Sequence, residues 1–275
     1  MEITQWWPWY QKIDTAFGYS IERDREATSV LRDLLSGRAL PLAELQGYIQ
    51  NRRVIVFGAG PSLEKNLCSI ISAGLEDVFT LIAADGATSA FLKESIVPNL
   101  IVTDLDGRID DILKAGELGS IIVVHCHGDN IDKLREFVPN MTKNKRIKVF
   151  GTTQVEPLPP VIYNFGGFTD GDRCAFLAEE MKADMIILAG MDMGTTIGKF
   201  SKEETYHSSP EDKSNWLSIK KQKLEFAKEL LEWLATWSKA SGGLFNATGL
   251  KGETVKGFSQ IQLRQLVQIA TSTRK

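Results

Sequence analysis

Cysteine is scarce in this chain: 275 residues contain three, and no two of them form a CxxC pair. They stand far apart in the sequence, at Cys68, Cys126 and Cys174. An odd, scattered set argues against a disulfide framework and against a structural zinc site. It is typical of a protein that works in a reducing compartment, so we expect a cytoplasmic location.

The chain also has little that would bind a membrane or a nucleic acid. No apolar run approaches the roughly 18 residues that a membrane span needs, and residues 1–19 lack the basic start and apolar stretch of a signal peptide. The formal net charge of -3 gives no reason to expect nucleic acid or an anionic surface as partner. We therefore expect small-molecule partners, with no nucleic acid and no membrane, and leave a homodimer open.

The chain divides by pattern near residue 50. Residues 1–50 have a polar-amphipathic helical pattern, and Pro41 marks the start of a short helix. We predict a small helical N-terminal region there and an α/β domain over 51–275. Four aromatic residues cluster near the start, which is more typical of a docking face than of a ligand cage: Trp6, Trp7, Trp9 and Tyr10.

Short, β-branched apolar runs recur from residue 53 onward. Because the runs are continuous rather than alternating, they predict strands covered on both faces. Helical segments separate most of them, which is typical of a parallel sheet with crossover helices. The predicted fold class is α/β, with a Rossmann-like, mostly parallel sheet, helices on both faces and the small helical N-terminal region. The runs are 54–57, 80–83, 100–102, 121–124, 147–150, 161–163 and 185–188.

The strongest helical pattern covers residues 215–239, where leucines recur at helical spacing before Gly242 and Gly243. A last strand over 244–247 and a closing helix over 260–271 complete the prediction.

Three successive predicted strands end in acidic residues. Asp85 follows the second strand, Asp104 and Asp106 of the TDLDG segment follow the third, and Asp129 follows the fourth. Any one of them could cap a helix or make a turn, but unpaired carboxylates in one crevice would repel one another. A hard divalent cation removes that conflict, and oxygen ligands suit Mg²⁺. A strand-like DxD would place both side chains of TDLDG on one side.

Two glycine-rich turns could receive phosphate groups. GAGPS, with Gly58, Gly60, Pro61 and Ser62, opens a helix after the first strand, and a plain strand-to-helix turn is the alternative. The second turn combines glycines with a hydroxyl and an arginine, which suits a polyphosphate. A helix cap with the arginine in an ion pair is the alternative. Its residues are Thr169, Asp170, Gly171, Asp172 and Arg173.

The HCHGDN and AGMDMG segments supply polar groups at two further strand ends. His127, Asn130 and Asp192 are candidate substrate contacts, although His127 could equally make a structural hydrogen bond. His125 and His127 share a face if the segment is extended, so zinc is the rival metal. No GxSxG motif appears, which argues against a Ser-His-Asp nucleophile. These features together point to a Mg²⁺-dependent, nucleotide-using enzyme.

The ordered series GAGPSL, ADGA, TDLDG, HGDN, GGFTDGDR and AGMD resembles the archaeal 6-hydroxymethyl-7,8-dihydropterin pyrophosphokinase family. It is similar, more distantly, to thiamine pyrophosphokinase, whose second, all-β domain has no counterpart in this chain. The resemblance implies that ATP binds with Mg²⁺ and that the pterin hydroxymethyl oxygen attacks the β-phosphorus. Diphosphate would pass to the pterin and AMP would leave. Whether the product would serve folate or methanopterin synthesis stays open.

The resemblance also assigns roles to residues of this chain. Asp104, Asp106 and Asp129 would hold Mg²⁺, and Asp104, Asp106 and Arg173 would be catalytic. The remaining candidates divide between nucleotide and acceptor. Those expected at the phosphates are Thr169, Asp170, Gly171, Asp172 and Arg173; those expected to line the nucleotide or the pterin side are Gly58, Gly60, Pro61, Ser62, Asp85 and Gly86; the candidate substrate contacts are His127, Asn130 and Asp192. A glycosyltransferase that uses a nucleotide sugar, related to flagellin-modifying proteins, and a non-catalytic nucleotide-binding protein are the alternatives.

Overall fold

The computed structural model describes residues 2–194, 196–201, 210–248, 254–262 and 265–268. Within these ranges nine strands form one sheet, and every neighbouring pair in it is parallel. The strands are β1 Arg53–Phe57, β2 Thr80–Ala84, β3 Leu100–Thr103, β4 Ile121–Cys126, β5 Lys148–Thr153, β6 Ile162–Tyr163, β7 Met185–Ala189, β8 Gly243–Asn246 and β9 Ser259–Gln260. The predicted apolar runs are confirmed as strands, and β9 is an addition to the prediction.

The helices of the described residues connect these strands or flank them. They are α1 Ile3–Phe17, α2 Ile21–Leu35, α3 Leu42–Gly47, α4 Leu63–Ser72, α5 Ala87–Lys93, α6 Ile109–Glu117, α7 Ile131–Lys143, α8 Asp170–Glu180 and α9 Pro210–Trp237. The short helix after Pro41 and the long helix around 215–239 are confirmed. The predicted closing helix over 260–271 lies partly outside the described residues, and residues 265–268 of it are helical.

The order of the strands in the sheet is β6-β5-β4-β3-β2-β1-β7-β8-β9. The chain winds outward from β1 in one direction as far as β6, then returns to the other side of β1 to continue with β7. The two winding directions separate between β1 and β7. In an open parallel sheet, ligands bind at the carboxyl ends of the strands near such a point. Six of the loops at that edge, those after β1, β2, β3, β4, β6 and β7, carry the candidate site residues.

Helices cover both faces of the sheet, as predicted. Alternate residues of one strand belong to different cores: Val54 and Val56 face the cluster that contains α1, α8 and α9, while Ile55 and Phe57 face α4 and α5. On the second face, farther along the sheet, α2, α6 and α7 pack against β4 and β5. No helix in the described part of the chain is both long and apolar enough to cross a bilayer.

The N-terminal helices share these cores rather than forming one of their own. Trp6 and Tyr10 of α1 lie in the same cluster as the strands and α9, and Leu31 of α2 packs with α7. Trp6 is 1% exposed, and its indole N–H donates to the main-chain oxygen of Gln154 over 2.7 Å. The aromatic cluster is thus a docking face. The division of the chain at residue 50 stays a prediction.

Replacing Leu31 by alanine should test whether α2 is integral to the fold. Leu31 is fully buried, so the Leu31→Ala variant should lose about 2–5 kcal/mol of unfolding free energy through lost burial and the cavity left behind. Urea unfolding followed by circular dichroism measures the loss. Leu118→Ala, at a position that is 58% exposed, is the control and should change stability by less than about 0.5 kcal/mol. Equal stability of the two variants would contradict the packing of α2.

Candidate active site

The TDLDG segment forms a turn, not a continuation of the strand. Strand β3 ends at Thr103, and Leu105 has a φ of 64°, in the left-handed region. The Thr103 hydroxyl accepts from the Leu105 N–H over 2.8 Å and donates to Asp85 Oδ2 over 2.5 Å. The expectation of a strand-like DxD is therefore wrong, because the threonine side chain closes the turn and Leu105 turns into the core. Asp104 and Asp106 converge through this turn instead.

Three carboxylates meet at the edge of the sheet. One oxygen atom from each of Asp85, Asp104 and Asp106 lies within 4.8 Å of the others. Asp85 is 4% exposed, and the other two are partly buried. Burial, followed by the charges of Asp106 and Asp104, raises the pKa of the Asp85 carboxyl to about 7, against the lowering effect of its Thr103 bond. The cluster therefore disfavours its own negative charge.

A divalent cation fits this cluster. Asp85 Oδ1 is buried and has no hydrogen-bond donor among the described residues, so one ligand oxygen is held out of water without a partner. Carboxylate oxygens are the ligands that Mg²⁺ prefers. Within the described part of the chain, the group of side chains able to share a metal consists of aspartates. His125 is instead buried beside the Thr152 hydroxyl, 3.2 Å away, so it does not join a zinc set with His127.

The lack of a side chain at Gly107 allows the three carboxylates to come together. A Cβ atom at that position would overlap Asp85 Oδ1, and the Gly107 N–H donates to Asp85 Oδ2 over 3.2 Å. The loop after β3 therefore packs directly on the aspartate that ends β2. A side chain at position 107 would separate the two halves of the cluster.

A fourth carboxylate approaches from α8. Asp170, the first residue of that helix, has a buried Oδ1 atom with no hydrogen-bond partner in the described residues. Burial, and then the charges of Asp104, Asp85 and Asp106, raise the pKa of Asp170 well above its ordinary value. The start of α8 thus lies near the carboxylates at the ends of β2 and β3.

Asp129 stands apart from this cluster. Its side chain is 70% exposed, and its nearest recorded partner is His127 Nδ1 at 4.0 Å. It lines the same cleft as Asp104 and Asp106, so its predicted part in metal binding stays a prediction.

His127 and Asn130 connect the ends of β3 and β4. His127 Nε2 lies 3.3 Å from Asp104 Oδ2. The Asn130 amide donates to the main-chain oxygens of Asp104 and His125, both over 2.8 Å, and accepts from the His127 N–H over 3.0 Å. Asn130 therefore holds the turn that carries Asp104 in place. Its predicted contact with substrate stays a prediction.

The loops after β1 and β7 are packed against each other. A Cβ at Gly60 would overlap Asp192 Oδ2, and one at Gly58 would lie 2.7 Å from the main-chain oxygen of Gly190. Asp192 Oδ2 accepts from the Ser62 hydroxyl over 2.7 Å and from the Ser62 N–H over 3.0 Å. These bonds close the β1–β7 junction. The predicted contacts of these residues with nucleotide or substrate stay predictions.

The second glycine-rich turn is held by Asp172. This residue is fully buried, and its carboxylate accepts from the Phe168 and Thr169 N–H groups, each over 2.7 Å, and from the Thr169 hydroxyl. Gly171 leaves room for Met191, whose sulfur would lie 2.7 Å from a Cβ there. Asp172 and Thr169 shape the turn through these bonds, and the turn presents Arg173 to the cleft. Their predicted phosphate contacts stay predictions.

One cleft joins the acidic cluster to a set of cations. Its walls carry Asp104, Asp106 and Asp129 on the sheet side, and the positive side chains come from three different helices. The sequence prediction included Arg173 but missed the two lysines and the aromatic residues. The full lining is Tyr19, Asp104, Asp106, His127, Asp129, Asn130, Lys133, Gln154, Phe168, Arg173 and Lys223.

Some of the missed residues had a pattern that could have revealed them. Gln154 directly follows β5, an inner strand whose end carried no candidate, and Lys133 lies one helical turn beyond the HGDN segment. No sequence pattern could have revealed Lys223, because it is one of several lysines on α9. Only the packing of this helix shows which of them faces the cleft. Its Nζ lies 5.8–5.9 Å from the ring centres of Phe17, Tyr19 and Phe168.

Comparison with known proteins gives consistent matches. A family model described as 6-hydroxymethylpterin diphosphokinase MptE-like matches residues 29–198. Three curated relatives are named 6-hydroxymethyl-7,8-dihydropterin pyrophosphokinase. That of Pyrococcus furiosus is 48% identical over 87% of this chain and 97% of its own. Those of Methanocaldococcus jannaschii and Methanothermobacter thermautotrophicus are 41% and 39% identical, over 85% of this chain and 96% and 95% of theirs.

Among solved structures, the MAf glycosyltransferase of Magnetospirillum magneticum AMB-1 has a similar fold. The TM-score is 0.50 at 12% sequence identity, and the match covers 85% of this chain and 39% of that longer chain. At so low an identity the likeness shows the fold alone. It confirms the predicted α/β architecture.

Replacing Asp85 by asparagine should stabilise the metal-free protein while weakening its response to Mg²⁺. The amide oxygen can still accept from Thr103 and Gly107, and the amide N–H₂ would face the other carboxylates, which relieves their repulsion. We expect Asp85→Asn to raise the unfolding free energy in EDTA by about 1–2 kcal/mol, or Tm by a few degrees.

Thermal unfolding with and without MgCl₂ measures both effects of the Asp85→Asn change. Asp110→Asn, which removes an exposed charge from the first turn of α6, is the control and should keep the wild-type Mg²⁺ response. An Asp85→Asn protein that is less stable in EDTA yet responds fully to Mg²⁺ would contradict the assignment of Asp85 to the cluster.

Proposed function

Because the chain belongs to the 6-hydroxymethylpterin diphosphokinase MptE-like family, we propose that it is an ATP-dependent diphosphokinase of pterin biosynthesis. In this proposal it transfers diphosphate from ATP to the hydroxymethyl group of 6-hydroxymethyl-7,8-dihydropterin and releases AMP, with Mg²⁺ as cofactor. The observation that carries the proposal is the cleft in which an aspartate cluster faces three cationic side chains.

The charges of the cleft suit a metal-bound triphosphate. A triphosphate alone would be repelled by Asp85, Asp104 and Asp106, and a metal alone would leave the cations that line the cleft without an anionic ligand. ATP with Mg²⁺ would satisfy both sets of charges, because the carboxylates would bind the metal and the phosphate oxygens would accept from Arg173, Lys133 and Lys223. This double match supports ATP as co-substrate.

The protein would contribute mainly position and charge. When bound by Asp104 and Asp106, Mg²⁺ would neutralise negative charge on the phosphates. Arg173 presents a planar, permanently charged fork of donors to the same phosphates, which suits the diphosphate that changes bonding partners. The loops from β2, β3 and α8 would hold the β-phosphorus open to attack by the acceptor hydroxyl, whose oxygen forms the new P–O bond as the bond to AMP breaks.

His127 supports an acceptor position beside the metal. It lines the cleft and contacts Asp104, so a group that binds His127 lies close to the proposed reaction centre. Asp129, at the mouth of the same cleft, is the remaining proposed metal ligand and would reach the ion through its exposed side chain.

The reaction itself is the first test. AMP should form only when ATP, Mg²⁺ and 6-hydroxymethyl-7,8-dihydropterin are all present, because the metal and both substrates complete the reacting geometry. Separation of nucleotides by ion-exchange chromatography after incubation measures AMP against ADP. ADP as the main product, or no AMP from folded protein in the complete mixture, would refute the proposal.

Replacing Asp106 by alanine should abolish turnover without unfolding the protein. Loss of a metal ligand removes several kcal/mol of charge stabilisation, so we expect AMP formation to fall about 100-fold or more. Asp110→Ala, four residues further along and exposed, is the matched control and should retain wild-type rates. Retained turnover in Asp106→Ala would exclude the proposed metal role.

A further inference from the structure

A buried carboxylate in α2 receives its hydrogen bonds from neutral groups alone. Asp24 is 2% exposed, and in the described part of the chain no lysine or arginine lies within salt-bridge distance of it. Asp24 Oδ2 accepts from the Tyr10 hydroxyl over 2.8 Å and from Gln154 Nε2 over 2.7 Å, and Oδ1 accepts from the Gly128 N–H over 2.7 Å. Burying a charged group in this way costs free energy of folding, whereas burying an apolar side chain at the same position would not.

The bond from Gln154 determines which way its amide faces. Because Nε2 donates to Asp24, Oε1 must point away from α2, and it accepts from Arg173 Nη2 over 3.0 Å. The main-chain oxygen of Gln154 is also held, by the Trp6 indole N–H. The N-terminal helices therefore fix both the position and the polarity of Gln154.

Gln154 in turn holds a cation of the cleft. Arg173 is 7% exposed and lines the cleft. Within the described residues, its guanidinium donates a hydrogen bond to the oxygen of the neutral Gln154 amide. The Gln154 oxygen thus fixes the orientation of the guanidinium fork through one N–H group, and the other N–H groups of the fork can donate to an anionic ligand.

A second arm runs from Asp24 to the acidic side of the cleft. The Gly128 N–H, which donates to Asp24, belongs to the first residue of the 3₁₀ turn Gly128–Asn130. Asn130, the last residue of this turn, donates to the main-chain oxygen of Asp104 and so holds the main chain there. A Cβ at Gly128 would lie 2.6 Å from the Cβ of Arg23, so the turn packs closely on α2. One buried carboxylate therefore supports both walls of the cleft without lining it.

We propose that Asp24 is a positioning residue for diphosphate transfer, acting on the Arg173 guanidinium through Gln154. The proposal rests on the function proposed above. In it, the hydrogen-bond chain has a fixed polarity: the Asp24 carboxylate accepts, the Gln154 amide donates to it and accepts from Arg173, and Arg173 donates. Reversing the first link breaks the second, although neither Asp24 nor Gln154 need touch the reacting atoms.

The polarity of this chain gives a test by rescue. In Asp24→Asn the main-chain Gly128 N–H, which can only donate, keeps the amide oxygen at the Oδ1 position. The new N–H₂ then stands against the Gln154 N–H₂, so Gln154 can no longer both bond position 24 and accept from Arg173. Gln154→Glu sets a carboxylate against Asp24. In the double variant, the new amide at position 24 donates to the new carboxylate at position 154, and that carboxylate also accepts from Arg173. The Tyr10 hydroxyl can turn to accept from the amide.

We expect each single variant to lose about 10- to 100-fold in kcat/KM, since a displaced charged group costs about that much in a transfer that depends on alignment. The double variant should recover at least tenfold over Asp24→Asn. Arg25→Gln is the matched control. It breaks the exposed Arg25–Glu156 ion pair, which joins the same two segments without touching Arg173, and should stay within twofold of wild type.

Binding measurements separate this proposal from the one on which it rests. Calorimetric titration with α,β-methylene-ATP and Mg²⁺ requires no turnover, so it reports on Arg173 even if no AMP forms with the pterin. The affinity should fall about tenfold in Asp24→Asn and return in the double variant. Wild-type affinity and kcat/KM in a folded Asp24→Asn protein would overturn the proposal, as would a double variant no better than the single one.

Circular dichroism and thermal unfolding establish whether each variant folds. If the Asp24→Asn proteins do not fold, Gln154→Met decides, because it keeps the Tyr10 and Gly128 bonds to Asp24 and removes the link through Gln154, both its donor to Asp24 and its acceptor for Arg173. A tenfold loss of nucleotide affinity in folded Gln154→Met supports the proposal, and wild-type affinity overturns it.

Discussion

Carboxylates brought together at the carboxyl edge of a parallel sheet repel one another, and much of the site is built to keep them there. Asp85, Asp104 and Asp106 converge within 4.8 Å, and Asp170 approaches from the start of α8. Thr103 and Gly107 hold Asp85 by hydrogen bonds, and the absence of a side chain at Gly107 lets the next loop close over it. These groups hold the cluster against its repulsion, so the three carboxylates stand together in the fold without a cation between them.

The same edge is stiffened from its other side by contacts between loops. Asp192 holds the start of α4 through Ser62, and glycines at 58 and 60 let the loops after β1 and β7 touch. These two strands are neighbours at the point where the sheet changes its winding direction, so their loops close the edge of the sheet there. Several glycines that look like a phosphate-binding pattern in the sequence are therefore required by packing as well.

The sequence predicts what repeats along the chain and misses what folding brings together. Apolar runs identify β1 to β7, since both faces of a parallel sheet must be apolar. Asp85, Asp104 and Asp106 could be expected to meet because parallel strands end at one edge. The turn at Leu105 could not be predicted, because it depends on two hydrogen bonds of the Thr103 hydroxyl. One is with Leu105 inside the loop, and the other is with Asp85 at the end of strand β2. Asp24 looks like an ordinary surface residue of an amphipathic helix until α2 is packed.

That packing bears on what the N-terminal helices do. The family model spans residues 29–198, and this segment includes the aspartate cluster, Gln154 and Arg173. It begins after Tyr19 and Asp24 and ends before Lys223. The aspartates of the cleft thus lie inside the matched segment together with Lys133 and Arg173, while Tyr19 and Lys223 of the lining and the supporting Asp24 lie outside it. Trp6 and Tyr10 of α1 bond to the same Gln154–Asp24 pair that faces Arg173. An N-terminal segment that only covered the sheet would need buried apolar side chains, but this one also carries the buried carboxylate of Asp24. That carboxylate accepts from Gln154, which bonds Arg173, and from Gly128, whose turn holds the main chain at Asp104. Its position is the physical reason to regard α1 and α2 as part of the site.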